Sequence, residues 1–351
     1  MKTSIYEVND LTEAAYEKIR RAAEVIKRGG LVAFPTETVY GIGADAFNEE
    51  AVGRVYEAKG RPRDNPMIVH IARASDAGLL ARSLSPDVIK LADAFWPGPL
   101  TMVLPKRDEV PARVTGGLGT VGIRLPDSPV AAALIRFAGT PVAAPSANLS
   151  GRPSPTKAEH VIEDLDGKVD VILIGPDCRV GIESTVVDMT AEPPCVLRPG
   201  VVTGYDLESV LEKPVMVPHL RQGDATHGDA YQGDGSFDRQ GDEPPKSPGM
   251  KYRHYAPQAQ MLVVEGFREK VISEIARLKA LNEGLGSKVG VLLFEERDYV
   301  TAAHDFYAEL RALDEEGVDL ILAGALPETD GIGFAVMNRM MKAAGYNIAR
   351  V

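Results

Sequence analysis

Ile19, Ala22, Ala23 and Ile26 recur at i, i+3, i+4 and i+7 within EAAYEKIRRAAEVIKR (13–28), which predicts a helix with one apolar face that Gly29-Gly30 stops. Apolar runs and amphipathic stretches then alternate along the chain. LVAF (31–34) predicts a buried strand, followed by the polar turn PTETVYGIG and a short helix near 49–58. MIVHIA (67–72) is a further strand, and PDVIKLADAFW (86–96) a helix that halts at PGP. LTMVLP and TVGIRLP read as strands, VAAALIRFAG (130–139) as a helix, and PVAAPSANLSG as a strand running into a loop. DVILIG, STVVDM and CVLRPG add three short strands, so strands bunch toward residue 200. Interleaved elements with that bunching favour a mixed sheet with helices over a strict parallel repeat.

The pattern breaks at 219–246, where five glycines stand among almost no aliphatic side chains. Such a segment buries too little surface to offset its chain entropy, so it reads as a flexible linker. Beyond it, AQMLVVEG, a helix near 268–281, KVGVLLF, a helix near 304–316, VDLILAGAL and a helix near 332–345 read β-α-β-α-β-α. That order predicts a small, open, Rossmann-like α/β sheet. The expected organisation is 1–218, a linker at 219–257, and 258–351.

Composition narrows the function. A chain of 351 residues exceeds the usual size of one core, in keeping with two domains. Two cysteines, Cys178 and Cys195, make no disulfide framework, which fits a reducing compartment, and no CxxC or HExxH points to a metal site. The polar start MKTSIYEVND has no signal-peptide core, and no run of about 18 apolar residues occurs. A cytoplasmic protein without membrane association is expected. Lys and Arg number 39 against 50 Asp and Glu, for a net charge of −11, which argues against stable nucleic-acid binding.

Against that acidic background, KGRPRDNP (59–66) concentrates Lys59, Arg61 and Arg63. Pro62 and Pro66 restrict the backbone around them, which suits a preorganised phosphate or carboxylate site better than a solvated turn. FPTETVYGIG places Thr36, Thr38 and Tyr40 just past a strand end, where they either orient a polar ligand or satisfy their own turn. GIGADA resembles a dinucleotide fingerprint but does not directly join a strand to a helix. APSANLSGRPSPT (144–156) gathers Ser146, Asn148, Ser150 and Ser154, a composition able to cradle an oxyanion and also common in loops. GIESTVVD begins a strand with Glu183, Ser184 and Thr185, and VLRPG ends another at Arg198. Arg124, in the apolar TVGIRLP, needs a carboxylate partner, either an internal acid or a ligand. His70, flanked by apolar residues in MIVHIA, reads on its own as a satisfied core histidine. No Walker-type GxxxxGK[ST] occurs. SPGMKYRHYAP (247–257) carries Tyr252 and Tyr255 with two cations and two prolines, either as a docked tether or as a lid over a cleft.

Taken in order, FPTETVYGIG, KGRPRDNP, PSANLSG, ESTVVD and LRPG resemble the motifs of the YrdC/TsaC-like L-threonylcarbamoyladenylate synthases, in the long form with an additional C-terminal domain. The resemblance implies a YrdC-like mixed twisted sheet over 13–210. It also implies synthesis of L-threonylcarbamoyl-AMP and pyrophosphate from L-threonine, bicarbonate and ATP, with Mg²⁺ carried by ATP. Separate threonylcarbamoyl transferase machinery would pass the group to tRNA beside the anticodon. On this resemblance Thr38, His70, Arg124, the backbone at Ala144, and Ser184 hold threonine. Lys59, Arg61, Asn65, Thr120, Ser146, Ser154 and Arg198 hold ATP, with Lys59, Arg61, Arg63 and Arg198 serving the phosphates. Tyr255 closes over the nucleotide, Tyr252 being the weaker candidate, and no protein metal ligand is implied. Two other readings are an RNA-binding module built around the 59–63 cations, and carbamoyl adenylation for protein maturation.

Overall fold

A computed structural model describes residues 2–217, 245–248, 254–327 and 331–351. Most of the 219–246 linker and Tyr252 lie outside the described residues.

The first body runs β1 (Ser4–Glu7), α1 (Glu13–Lys27), β2 (Val32–Phe34), β3 (Gly41–Asp45), α2 (Glu49–Lys59), β4 (Ile68–His70), α3 (Pro86–Phe95), β5 (Leu100–Pro105) and β6 (Thr120–Arg124). It continues through α4 (Pro129–Ala138), β7 (Val142–Ala143), α5 (Ala158–Leu165), β8 (Val171–Ile174), β9 (Thr185–Asp188), β10 (Cys195–Arg198) and α6 (Gly204–Leu211). Its strands form one mixed sheet in the order β1-β8-β2-β3-β7-β4-β6-β5-β9-β10. The expected apolar face of α1 is buried, and Thr12 caps the helix through the Ala15 amide at 3.3 Å. GIGAD, far from a nucleotide fingerprint, is strand β3, paired antiparallel with β2.

The second body is β11 (Gln260–Glu265), α7 (Arg268–Gly284), β12 (Val289–Leu292), α8 (Tyr299–Glu315), β13 (Leu320–Gly324), α9 (Ile332–Ala343) and β14 (Ile348–Arg350). Its sheet is parallel, in the order β12-β13-β11-β14. The open α/β architecture matches the sequence pattern, with a last short strand added. Val39 and Ile182 of the first body and the intervening Tyr255 are buried in the same apolar cluster as Phe306, Leu310 and Met340 of the second. The two bodies therefore share a core.

Helix α5 carries a pH-sensitive start. The Nδ1 of buried His160 accepts from the amides of Thr156 (3.2 Å) and Lys157 (3.3 Å), so it must be unprotonated. Burial, aided by Arg311, pushes its pKa down to about 4. Above pH 6.5 the folded and unfolded chains are both neutral here. As pH falls from 6.5 toward 4 only the unfolded chain takes the proton, so stability is lost by up to about 1.4 kcal/mol per pH unit. His160→Asn, whose amide oxygen can accept in place of Nδ1, is expected to flatten the fall in thermal midpoint between pH 7 and 5. An unchanged slope would remove His160 from the acid response.

Candidate active site

Helix α2 ends on Gly60, whose φ of +64° turns the chain in the left-handed region that glycine occupies without strain. The chain then delivers Arg61 inward. On the neighbouring strands, His70 ends β4 directly opposite Arg124 at the end of β6. The 145–147 loop lies against the turn before β3, with the Ile42 amide on the Pro145 carbonyl (2.9 Å) and the Ala147 amide on the Tyr40 carbonyl (2.8 Å). These strand ends and loops line a pocket that opens to solvent. Thr38, His70, Arg124, Ala144 and Ser184 all line it, as do Arg61, Ser146, Arg198 and Tyr255.

Arg124 is buried and heavily engaged. Its Nε donates to the Gly98 carbonyl (3.2 Å) and its Nη1 to the Thr38 hydroxyl (2.9 Å). Its Nη2 lies 2.6 Å from Glu37 Oε1, with both side chains almost wholly buried. That approach is off the hydrogen-bond axis, and neither Glu37 oxygen has a donor among the described residues. Arg124 thus has an internal acid partner. His70 beside it is held neutral, its pKa pushed down to about 3 by burial and then by Arg124, and its Nδ1 has no partner among the described residues. The Ala144 amide is already bonded to the Ile68 carbonyl (2.9 Å).

At the other end, Arg198 donates from Nε to the Ser184 carbonyl (3.0 Å) and from Nη2 to its hydroxyl (3.2 Å). Ser184 Oγ also lies 2.8 Å from Thr101 Oγ1. Arg61 donates to the carbonyls of Asn65 (3.3 Å) and Pro66 (2.9 Å), and burial lowers its pKa only to about 10, so it remains a cation at neutral pH. Tyr255, at φ +65°, is buried with its ring 5.4 Å from that of Tyr307 in α8.

Four candidates for ATP stand outside the pocket lining. Lys59 is buried behind it, its ammonium on the carbonyls of Ser146 and Asn148. Burial, with Arg61 nearby, holds its pKa well below the ordinary lysine value. Ser154 donates to Glu183 Oε1 at 2.6 Å. Thr120 lines a separate small cavity with Thr101 and Lys246. Asn65 is buried with both amide atoms unpartnered among the described residues. Arg63 departs from expectation outright: it is exposed, 3.8 Å from Glu57, because the turn after Pro62 points it away from the pocket.

Three residues in or beside the pocket carry no role in the sequence reading: Glu183 and His254 line it, and Glu37 lies beside it against Arg124. Glu37 sits between two quoted threonines, and Arg124 in its apolar strand calls for a carboxylate partner. Glu183 also lines the pocket, but apart from Ser154 its side-chain partners lie in the second body. His254, next to Tyr255, has Nε2 unpartnered among the described residues, and burial pushes its pKa down to about 3.

A family model described as telomere recombination, Sua5/YciO/YrdC, matches residues 24–200. The chain belongs to the Sua5/YciO/YrdC family. A second family model, the C-terminal domain of threonylcarbamoyl-AMP synthase, matches 202–345. Among relatives of this Sua5/YciO/YrdC chain, the threonylcarbamoyl-AMP synthase of Pyrococcus abyssi is 48% identical over 344 residues, covering 95% of this chain and 96% of that protein. That of Bacillus subtilis is 44% identical over 369 aligned positions, covering both in full. The crystal structure of P. abyssi Sua5 complexed with L-threonine superposes with a TM-score of 0.90 at 45% identity, covering 99% of this chain and 100% of that one. The family inferred from the five ordered motifs is the family found.

Proposed function

We propose that the pocket joins L-threonine, bicarbonate and ATP into L-threonylcarbamoyl-AMP, releasing pyrophosphate and water. The observation that carries this reading is one pocket whose lining joins Thr38, His70, Arg124, Ala144 and Ser184 to Arg61, Ser146 and Arg198. Threonine lies among the first five, its carboxylate toward Arg124 and Ser184. Neutral His70 adds a polar group there without a second positive charge. The threonine amine captures CO₂ derived from bicarbonate to give a carbamate. A carbamate oxygen attacks the α-phosphorus of ATP, and the bond to the β-phosphate oxygen breaks to release pyrophosphate.

Charge grows on the phosphoryl and leaving oxygens during this step. Arg61 and Arg198 are fixed cations in a water-poor setting, so they stabilise that charge more in the transition state than in the ground state. Holding the reactants in one pocket removes much of the entropic barrier. No side chain need act as a nucleophile. Mg²⁺, carried in as the chelate of ATP, would supply neutralisation of the phosphate oxygens beside Arg61 and Arg198. Among the described residues no group of three or more His, Cys, Asp or Glu is gathered for a metal, and the buried acids Glu37 and Glu183 face arginines.

The product is consumed by a threonylcarbamoyl transferase acting on tRNA, in the cytoplasm. No helix among the described residues is long and apolar enough to cross a membrane. Of the three cations that motivate an RNA-binding reading, Lys59 and Arg61 are buried and Arg63 alone is exposed, which leaves no basic stripe there for a phosphate backbone.

Pyrophosphate release measured with each substrate omitted in turn tests the reading. Release is expected to require both threonine and bicarbonate, with the mass of the mixed anhydride in the products. Release indifferent to threonine, or salt-sensitive RNA retention on a filter in its place, would overturn it.

A further inference from the structure

We propose that the second body completes the active site, with Arg339 and Tyr307 as positioning residues that fix Ser184 and Arg198 through Glu183 and Pro199. This inference rests on the functional reading above.

Arg339, in α9, is wholly buried. Its Nε lies 3.2 Å from Glu183 Oε2, its Nη2 donates to the Glu183 carbonyl at 3.4 Å, and its Nη1 donates to the Pro199 carbonyl. One planar guanidinium therefore bridges two backbone positions. Glu183 precedes Ser184 and Pro199 follows Arg198, and those neighbours are themselves hydrogen-bonded and line the pocket. Tyr307, in α8, gives its hydroxyl to the Glu183 carboxylate, 3.0 and 2.9 Å from its two oxygens, and Ser154 closes the carboxylate from the first body. The Tyr307 ring also backs Tyr255, which lines the pocket.

A carboxylate buried in an apolar wall would ordinarily be costly, and this one is satisfied by groups from both bodies. A lysine could supply the charge at 339 but not the fork that reaches two carbonyls at once. The arrangement is more than a tether. Its bonds end on residues 183 and 199, each adjacent in sequence to a pocket residue.

Two variants test this by titration calorimetry of L-threonine and by steady-state kinetics. Tyr307→Phe keeps the ring and deletes the hydroxyl; Arg339→Lys keeps the charge and deletes the fork. Loss of a hydrogen bond to a charged group corresponds to roughly tenfold. The threonine Kd and the KM values for threonine and ATP are therefore expected to rise about 5–10-fold in Tyr307→Phe, which stays folded with its thermal midpoint lowered by a few degrees. A larger rise is expected in Arg339→Lys. A merely structural role would lower the folded fraction, reducing kcat and leaving Kd and KM where they were. Wild-type affinities in a folded Tyr307→Phe protein overturn the inference, whether or not Arg339→Lys folds. If the wild-type chain itself binds no threonine, the functional reading falls and takes this inference with it.

Discussion

Arg124→Ala is expected to reduce threonine-dependent pyrophosphate release by at least about a hundredfold, the sum of two lost charge-assisted hydrogen bonds to a substrate carboxylate. Of the five N–H groups of Arg124, one goes to Gly98 and one to Thr38, while Nη2 and Glu37 meet off-axis. Donor capacity therefore remains for a ligand. The variant should also be less stable, because Glu37 would stay buried without its counter-charge, at a cost of about 3–5 kcal/mol. The two effects separate by pairing a thermal melt with threonine calorimetry. Arg124→Ala/Glu37→Gln should recover much of the stability and none of the threonine affinity. An unchanged threonine requirement in the single variant would strip Arg124 of its role.

Lys59→Met should be the second severe change. The methionine nearly matches the lysine stem in volume and removes a charge whose burial is unfavourable. It also leaves the carbonyls of Ser146 and Asn148 without their shared donor, at about 1–3 kcal/mol each. The 145–148 loop is bonded to the Tyr40–Ile42 segment and brings Pro145 and Ser146 into the pocket lining, so its displacement should lower kcat/KM for ATP by on the order of a hundredfold. Stability should fall far less than the number of broken bonds suggests, since the desolvation cost of the ammonium disappears with it. Activity within twofold of wild type would mean that Lys59 neither holds the loop nor serves the nucleotide.

The legible parts of this fold are those whose periodicity spans several turns or alternations. Helix α1 shows its face because Ile19, Ala22, Ala23 and Ile26 must meet one surface. Strand β1 hides because it is an exposed edge strand with almost no buried position, so its residues read as a polar tail. Helices α5 and α6, eight residues each, are too short to declare a period, and β14 has three residues. In the site, local motifs delivered side chains that strand ends then gathered. Proline rigidity in KGRPRDNP announced a restrained cation cluster but not its direction: Arg61 turns inward, Lys59 sits behind the wall, and Arg63 leaves it. Glu183 could not be assigned a purpose because its arginine lies 156 positions later. Nothing local records such a pairing.

That distance has a consequence for a chain made from its N-terminus. Once residues 1–217 have left the ribosome, Glu183 still waits for a counter-ion that has yet to be translated. A half-synthesised polypeptide therefore carries Glu183 without Arg339 or Tyr307, and on the inference above it should hold threonine less tightly until the final helix docks.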